Sequence, residues 1–171
     1  MASLLSNPNE DRRRPSVDKY NTAMNEIANS FEEVRNAVRG RGRDLRQRAY
    51  LAREVYDDLK DRQSDFHEAL AQLGLTFDDF LNLGKDGIEQ FYQEVPTLHV
   101  FTTLKARKND QLSEPYTAND LNDLSFLSVA IPYCDIVVTE GQWVIFAKEK
   151  GLDHRYNTVL LSKIEELGDY L

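Results

Sequence analysis

From Ser16 onward, apolar residues recur at Val17, Tyr20, Met24, Ile27, Phe31, Val34 and Val38. The steps alternate between three and four, the period of one face of an α-helix. Ser16 can cap this helix, and the run Arg39-Gly40-Arg41-Gly42-Arg43 ends it, because glycines break helices and cations suit a helix C-terminus. A second stripe starts near Asp44 and passes through Leu45, Ala49, Ala52, Tyr56 and Leu59, then Phe66, Leu70 and Leu73. Gln63 interrupts it, so a break near Ser64 is expected, and Gly74 closes it. Two long helices joined by a short glycine turn predict an antiparallel hairpin over 16–74. Shorter helices are expected over 77–83, 85–94 and 97–108, punctuated by Gly84 and Pro96.

The pattern changes at Thr117. Thr117 and Asp120 have capping-box spacing, and Leu121, Leu124, Leu127 and Ile131 form the apolar face of the helix that follows. Pro132 is expected to stop it. Cys134 to Thr139 is a β-branched run that reads as a buried strand, and Glu140-Gly141 turns the chain. A helix over 142–150, a strand over 158–161 and a last helix capped by Ser162 follow. Alternating helix and strand is the signature of a parallel α/β layer. The expected fold is therefore helix-rich α/β, with an irregular lead-in over 1–15, a helical region over 16–95 and an α/β portion over 96–171. Tyr133, Cys134 and Trp143 are expected to be buried around the strand.

Composition narrows the classes. The chain has 171 residues, 41% of them hydrophobic, which excludes a wholly disordered protein. No apolar stretch is long enough to span a membrane, and Met1 to Pro15 carries no signal-peptide pattern. One cysteine and three scattered histidines make neither a disulfide nor a zinc pattern, and a cytoplasmic location is expected. Net charge is −8, but it is lopsided: through Val55 there are 11 Lys/Arg against 8 Asp/Glu, and beyond it 10 against 21. No P-loop, GxGxxG or Ser-His-Asp arrangement is present.

Three acids could carry chemistry. Asp120 and Asp123 share a helix face. Glu140 follows the strand, at the sheet edge where α/β folds place their ligands. Carboxylates gathered there repel unless a cation or protons join them, and hard oxygen donors favour Mg²⁺ or Mn²⁺. Spacing alone favours the plainer reading of Asp120 as a helix cap, Asp123 as an exposed acid and Glu140 as a turn residue. The arginines Arg39, Arg41, Arg43, Arg46 and Arg48 are candidates for holding backbone phosphates.

The run Asn119-Asp120-Leu121-Asn122-Asp123, followed by Ala130-Ile131-Pro132-Tyr133-Cys134-Asp135-Ile136-Val137-Val138-Thr139-Glu140, resembles the C-terminal half of PIN-domain proteins. The resemblance covers about 96–171. It implies a PIN-like parallel sheet and metal-dependent ribonuclease activity, with RNA or another single-stranded nucleic acid as the partner. Asp120 and Glu140 would then be metal ligands, Asp123 a ligand or a group orienting one, and Asp135 structural. The family's first metal acid follows an apolar N-terminal strand, and no such strand is read here. The sheet edge left open would be covered by a missing segment, a rearranged helix, a second copy or a partner chain. Asp120→Asn would be expected to relieve repulsion and leave folding intact. The competing expectation is a non-catalytic helical binding or assembly module with a degenerate PIN-like end.

Overall fold

A computed structural model describes residues 10–61, 63–111 and 114–170. The chain is helix-rich α/β. Among the described residues the helices α1 (Glu10–Ala37), α2 (Arg43–Asp61), α3 (Gln63–Gln72), α4 (Phe77–Leu81), α5 (Gly84–Glu94) and α6 (Pro96–Asn109) come first. Then come α7 (Ala118–Tyr133), β1 (Ile136–Val138), α8 (Gly141–Glu149), α9 (Leu152–Tyr156), β2 (Val159–Leu161) and a final 3-10 helix over Ile164–Tyr170. Among the described residues no helix is long and apolar enough to cross a membrane.

The first helix starts earlier than its sequence suggested. It is already helical at Glu10 and passes through Pro15, so residues 10–15 are not the irregular lead-in expected of them; residues 1–9 lie outside the described residues. Proline fixes a helical φ but removes one helical N–H, so α1 passes Pro15 without the bond from that residue to the turn before it. The buried face of α1 also differs from the heptad stripe. Val17, Tyr20 and Ile27 are exposed, whereas Ala28 and Arg35 are buried and Met24 and Phe31 pack against the core. A straight helix drifts away from a 3.5-residue stripe by about 20° per heptad, so only part of that stripe can meet a single partner. The turn between α1 and α2 uses Gly40 at φ 83°, a left-handed conformation that costs glycine little.

One core runs through the molecule. It joins Ala28 of α1, Val100 and Leu104 of α6, Leu124, Leu127 and Ile131 of α7, Val137 of β1, Trp143 and Phe146 of α8, and Leu160 of β2. The most extensive helix pairing is α6 against α7, and α1 lies on α7 as well. Lys105 of α6 is buried among these helices. It pairs with Glu54 of α2 and stands over the Phe31 ring at 3.4 Å, so the buried cation is both neutralised and packed. A separate aromatic cluster of Phe66, Phe77, Phe80 and Phe91 ties α3, α4 and α5 together edge to face.

The sheet is small and parallel. β1 and β2 pair in the register Ile136↔Val159, Val137↔Leu160 and Val138↔Leu161. Among the described residues no third strand joins them and none precedes Ile136. Thr158 Oγ1 donates to the Ile131 carbonyl at 2.5 Å, which fastens the start of β2 to the end of α7. That end reaches one residue past Pro132, to Tyr133. Phe126, Val129 and Tyr133 therefore share one helix face, and it is the outer one. Tyr133 is 65% exposed and Cys134 is also exposed, against the expectation that both are buried.

Candidate functional site

Thr117 and Asp120 form the reciprocal cap at the start of α7. Asp120 N–H donates to Thr117 Oγ1 at 3.2 Å, and Asp120 Oδ2 accepts from Thr117 N–H and from the Thr117 hydroxyl, each at 2.8 Å. The other oxygen of Asp120 faces Lys108 Nζ at 3.0 Å, and both side chains are almost wholly buried. Lys108 stands in the last turn of α6, and Glu114 lies 3.7 Å from the same ammonium. Both oxygens of Asp120 are thus engaged within the protein.

Asp123 lies one turn further along α7. Its Oδ2 accepts from the indole Nε1–H of Trp143 at 2.8 Å. Trp143 is completely buried in α8, so it holds this carboxylate from beneath. Burial pushes the Asp123 carboxyl above its ordinary value. The Trp143 hydrogen bond opposes the shift, and the charges of Glu140 and Asp120 add to it. Glu140 occupies the N-cap position of α8, directly after Thr139 and the end of β1. Its side chain makes no capping bond; among the described residues its hydrogen bond is a long one, 3.5 Å, from Gln142 Nε2.

These groups line one cleft of about 360 Å³. Lys108, Glu114, Pro115, Thr117, Asp120, Asp123 and Glu140 face it. The sheet-edge argument accounts for the meeting of Asp123 and Glu140, since α7 starts and β1 ends on the same side. Sequence reasoning missed Lys108 and Trp143. A lysine near a helix C-terminus is ordinary, and its burial against Asp120 depends on how α6 packs on α7. Trp143 carried a weak signal: it is the chain's only tryptophan, and a buried indole N–H needs an acceptor.

The arginines behave differently from the acids. None of Arg39, Arg41, Arg43, Arg46 and Arg48 lines this cleft. Arg39 and Arg41 are exposed at the turn after α1. Arg46 pairs with Asp110 at 3.2 Å and donates to the Arg41 carbonyl at 2.8 Å. Arg43 faces a second cleft with Arg107, Asp110, Glu149 and Lys150. Arg48 faces a third, with Lys85 and His99 among its lining residues.

Among the described residues no three Asp, Glu, His or Cys side chains form a group able to cage a metal ion. The donors left over suit a different mode. Mg²⁺ is commonly held by one or two carboxylates, with water and substrate phosphate completing the shell. Asp123, with one oxygen outside its indole bond, and the uncommitted Glu140 fit that mode; Asp120, already bound to Lys108, does not. Comparison of the chain with family models, curated proteins and solved structures finds no match.

Proposed function

We propose that the chain is a PIN-like, metal-dependent nuclease that hydrolyses RNA phosphodiesters at the cleft between α7 and the end of β1. The observation that carries this reading is the convergence of Asp123, Glu140 and the Lys108–Asp120 pair on one cleft, with the Asp123 carboxyl raised by burial and by its acidic neighbours. Carboxylates held together against their own repulsion form a site that gains from a cation. Asp123 and Glu140 would hold Mg²⁺ or Mn²⁺. A bound ion of this kind would activate water and offset charge on the leaving oxygen.

The protein's own groups have separate tasks. Trp143 fixes the direction of Asp123 through its indole N–H. Lys108 keeps Asp120 in place and neutralises it at the cleft wall, which lowers the repulsion that Asp123 and Glu140 would otherwise meet. Asp120 is then a positioning residue, which revises the ligand role implied for it by resemblance. A second reading has its own support. Lys108 neutralises one of the three acids internally, so part of the cluster is stable without any ion, and Phe126, Val129 and Tyr133 form an exposed apolar ridge on α7. That combination suits a non-catalytic assembly module.

Cleavage of an unstructured oligoribonucleotide with Mn²⁺ separates the two. Asp123→Asn keeps an acceptor for Trp143 but removes the anion, and should lower the rate by about 100-fold or more if the carboxylate holds an essential ion. Equal cleavage by the wild type and this variant would reject the nuclease assignment at this cleft.

A further inference from the structure

The turn after α1 and the ends of α6 and α8 meet at the second cleft, of about 470 Å³, lined by Arg43, Arg107, Asp110, Glu149 and Lys150. Its acids are already committed. Asp110 is paired with Arg46 at 3.2 Å, and Glu149 accepts from Arg107 Nε–H at 2.6 Å. Counting Arg46, four cations stand against two carboxylates, and Arg43 and Lys150 have no ion-pair partner among the described residues. This local excess of positive charge occurs on a chain of net charge −8.

The cleft is also organised before any ligand arrives. The Arg107 guanidinium lies 4.4 Å from the centre of the buried Phe146 ring and, among the described residues, is held by Glu149 through its Nε–H. The guanidinium therefore presents further N–H donors in a fixed plane, the arrangement that matches phosphate oxygens. Arg107 and Lys108 are consecutive residues of α6. One faces this basic cleft and the other faces the carboxylate cleft, so the two clefts flank the same helix end.

We infer that the cleft of Arg43, Arg107 and Lys150 holds a backbone phosphate of a single-stranded nucleic acid. The inference rests on the nuclease reading only for the suggestion that the same strand continues round the end of α6 to the carboxylates. A flexible strand can follow that bend, and recognition by charge alone makes the holding independent of sequence.

The test is fluorescence anisotropy with a labelled oligouridylate of about 12 nucleotides, in chelator and without divalent ions, at salt between about 50 and 200 mM. The variant is Arg43→Gln with Lys150→Gln, which removes two unpaired cations and leaves Arg107 packed on Phe146. It should bind about tenfold more weakly, with a salt slope shallower by about 0.7, the contribution of one phosphate contact on a single strand. Wild-type affinity retained in the double variant would overturn the inference, as would a wild type that ignores the oligonucleotide or prefers phosphatidylserine vesicles. The two proposals fail separately. Charge-dependent binding without cleavage removes the nuclease reading and keeps the basic cleft; cleavage with an unchanged KM in the double variant does the reverse.

Discussion

Asp120 and Asp123 are the same residue type one helical turn apart, and their surroundings give them opposite behaviour. Asp120 is a cap and the partner of a buried ammonium. Removing one member of a buried pair leaves an uncompensated charge, at a cost of roughly 3 kcal/mol or more. Asp120→Asn should therefore lower the melting temperature markedly, with Glu114 at 3.7 Å only a partial substitute for Lys108. This reverses the expectation that the amide leaves folding intact. Asp123 is the contrasting case. Its folded-state pKa is raised, so the folded chain binds its proton more readily than the unfolded chain does. The ionised form then detracts from stability at neutral pH, and the penalty fades as pH falls through the raised value towards 3.8. Asp123→Asn should melt at the wild-type temperature or above it near neutral pH, and the difference should close on acidification. A large loss of stability in Asp123→Asn would contradict the burial and repulsion assigned to it. Both acids were visible in the sequence as candidates. Their division of labour was not, because it depends on Lys108 and Trp143, which reach them across 12 and 20 residues of chain.

At the scale of elements, legibility followed local chemistry. The capping box of α7, the β-branched run of β1 and the short apolar run of β2 are encoded by adjacent residues, and all three were readable. The break expected near Ser64 falls next to residue 62, which lies outside the described residues; α2 is described to Asp61 and α3 from Gln63. The short helix α9 was not expected. It runs from Gly151 at φ 67° to Asn157 at φ 53°, two left-handed residues that bracket a single turn too short to show a periodicity. Its seat on α6 is polar: His99 Nδ1 lies 2.9 Å from the Tyr156 hydroxyl, and an Arg155 Nη stands 3.4 Å from His99 Nε2. Burial first, and then the Arg155 charge, push the His99 imidazole below its ordinary value of 6.5. A depressed folded-state pKa contributes stability above 6.5 that is lost as pH falls through the folded value. The neutral ring that accepts from Arg155 donates Nδ1–H to Tyr156, and protonation replaces that arrangement with two adjacent cations. His99→Gln should therefore show a shallower fall in melting temperature than the wild type between about pH 7 and pH 5. An unchanged pH profile would mean that the α6–α9 contact does not sense this proton.

Across the whole molecule, the basic and acidic parts of the sequence are not separate bodies. Tyr20 of α1 donates to Asn122 of α7 at 2.5 Å, beside the candidate cleft, and Glu32 accepts the Tyr116 N–H at 2.7 Å, just before the α7 cap. Arg35 is also buried there, donating to the carbonyls of Gln111 and Glu114. The long first helix thus braces the segment that presents Lys108, Thr117 and Asp120. No local pattern announces this, since the partners lie 76 to 102 residues apart. The cleft is therefore supported by α1 and by the Lys108–Asp120 pair whether or not an ion is present, and a cation should add little to global stability. With two carboxylates as the protein donors, a millimolar Kd is expected, because Mg²⁺-type sites of this kind rely on water and substrate phosphate for the rest of the shell. Stabilisation follows RT ln(1 + [L]/Kd), which is about 0.4 kcal/mol when the ion is at its Kd. Titration with Mn²⁺ to about 1 mM should then move the melting temperature by a few degrees at most, and Asp123→Asn should abolish the shift while Arg43→Gln leaves it in place. A rise corresponding to several kcal/mol at that concentration would require a closed cage of carboxylates, and the two-carboxylate site proposed for Asp123 and Glu140 would be wrong.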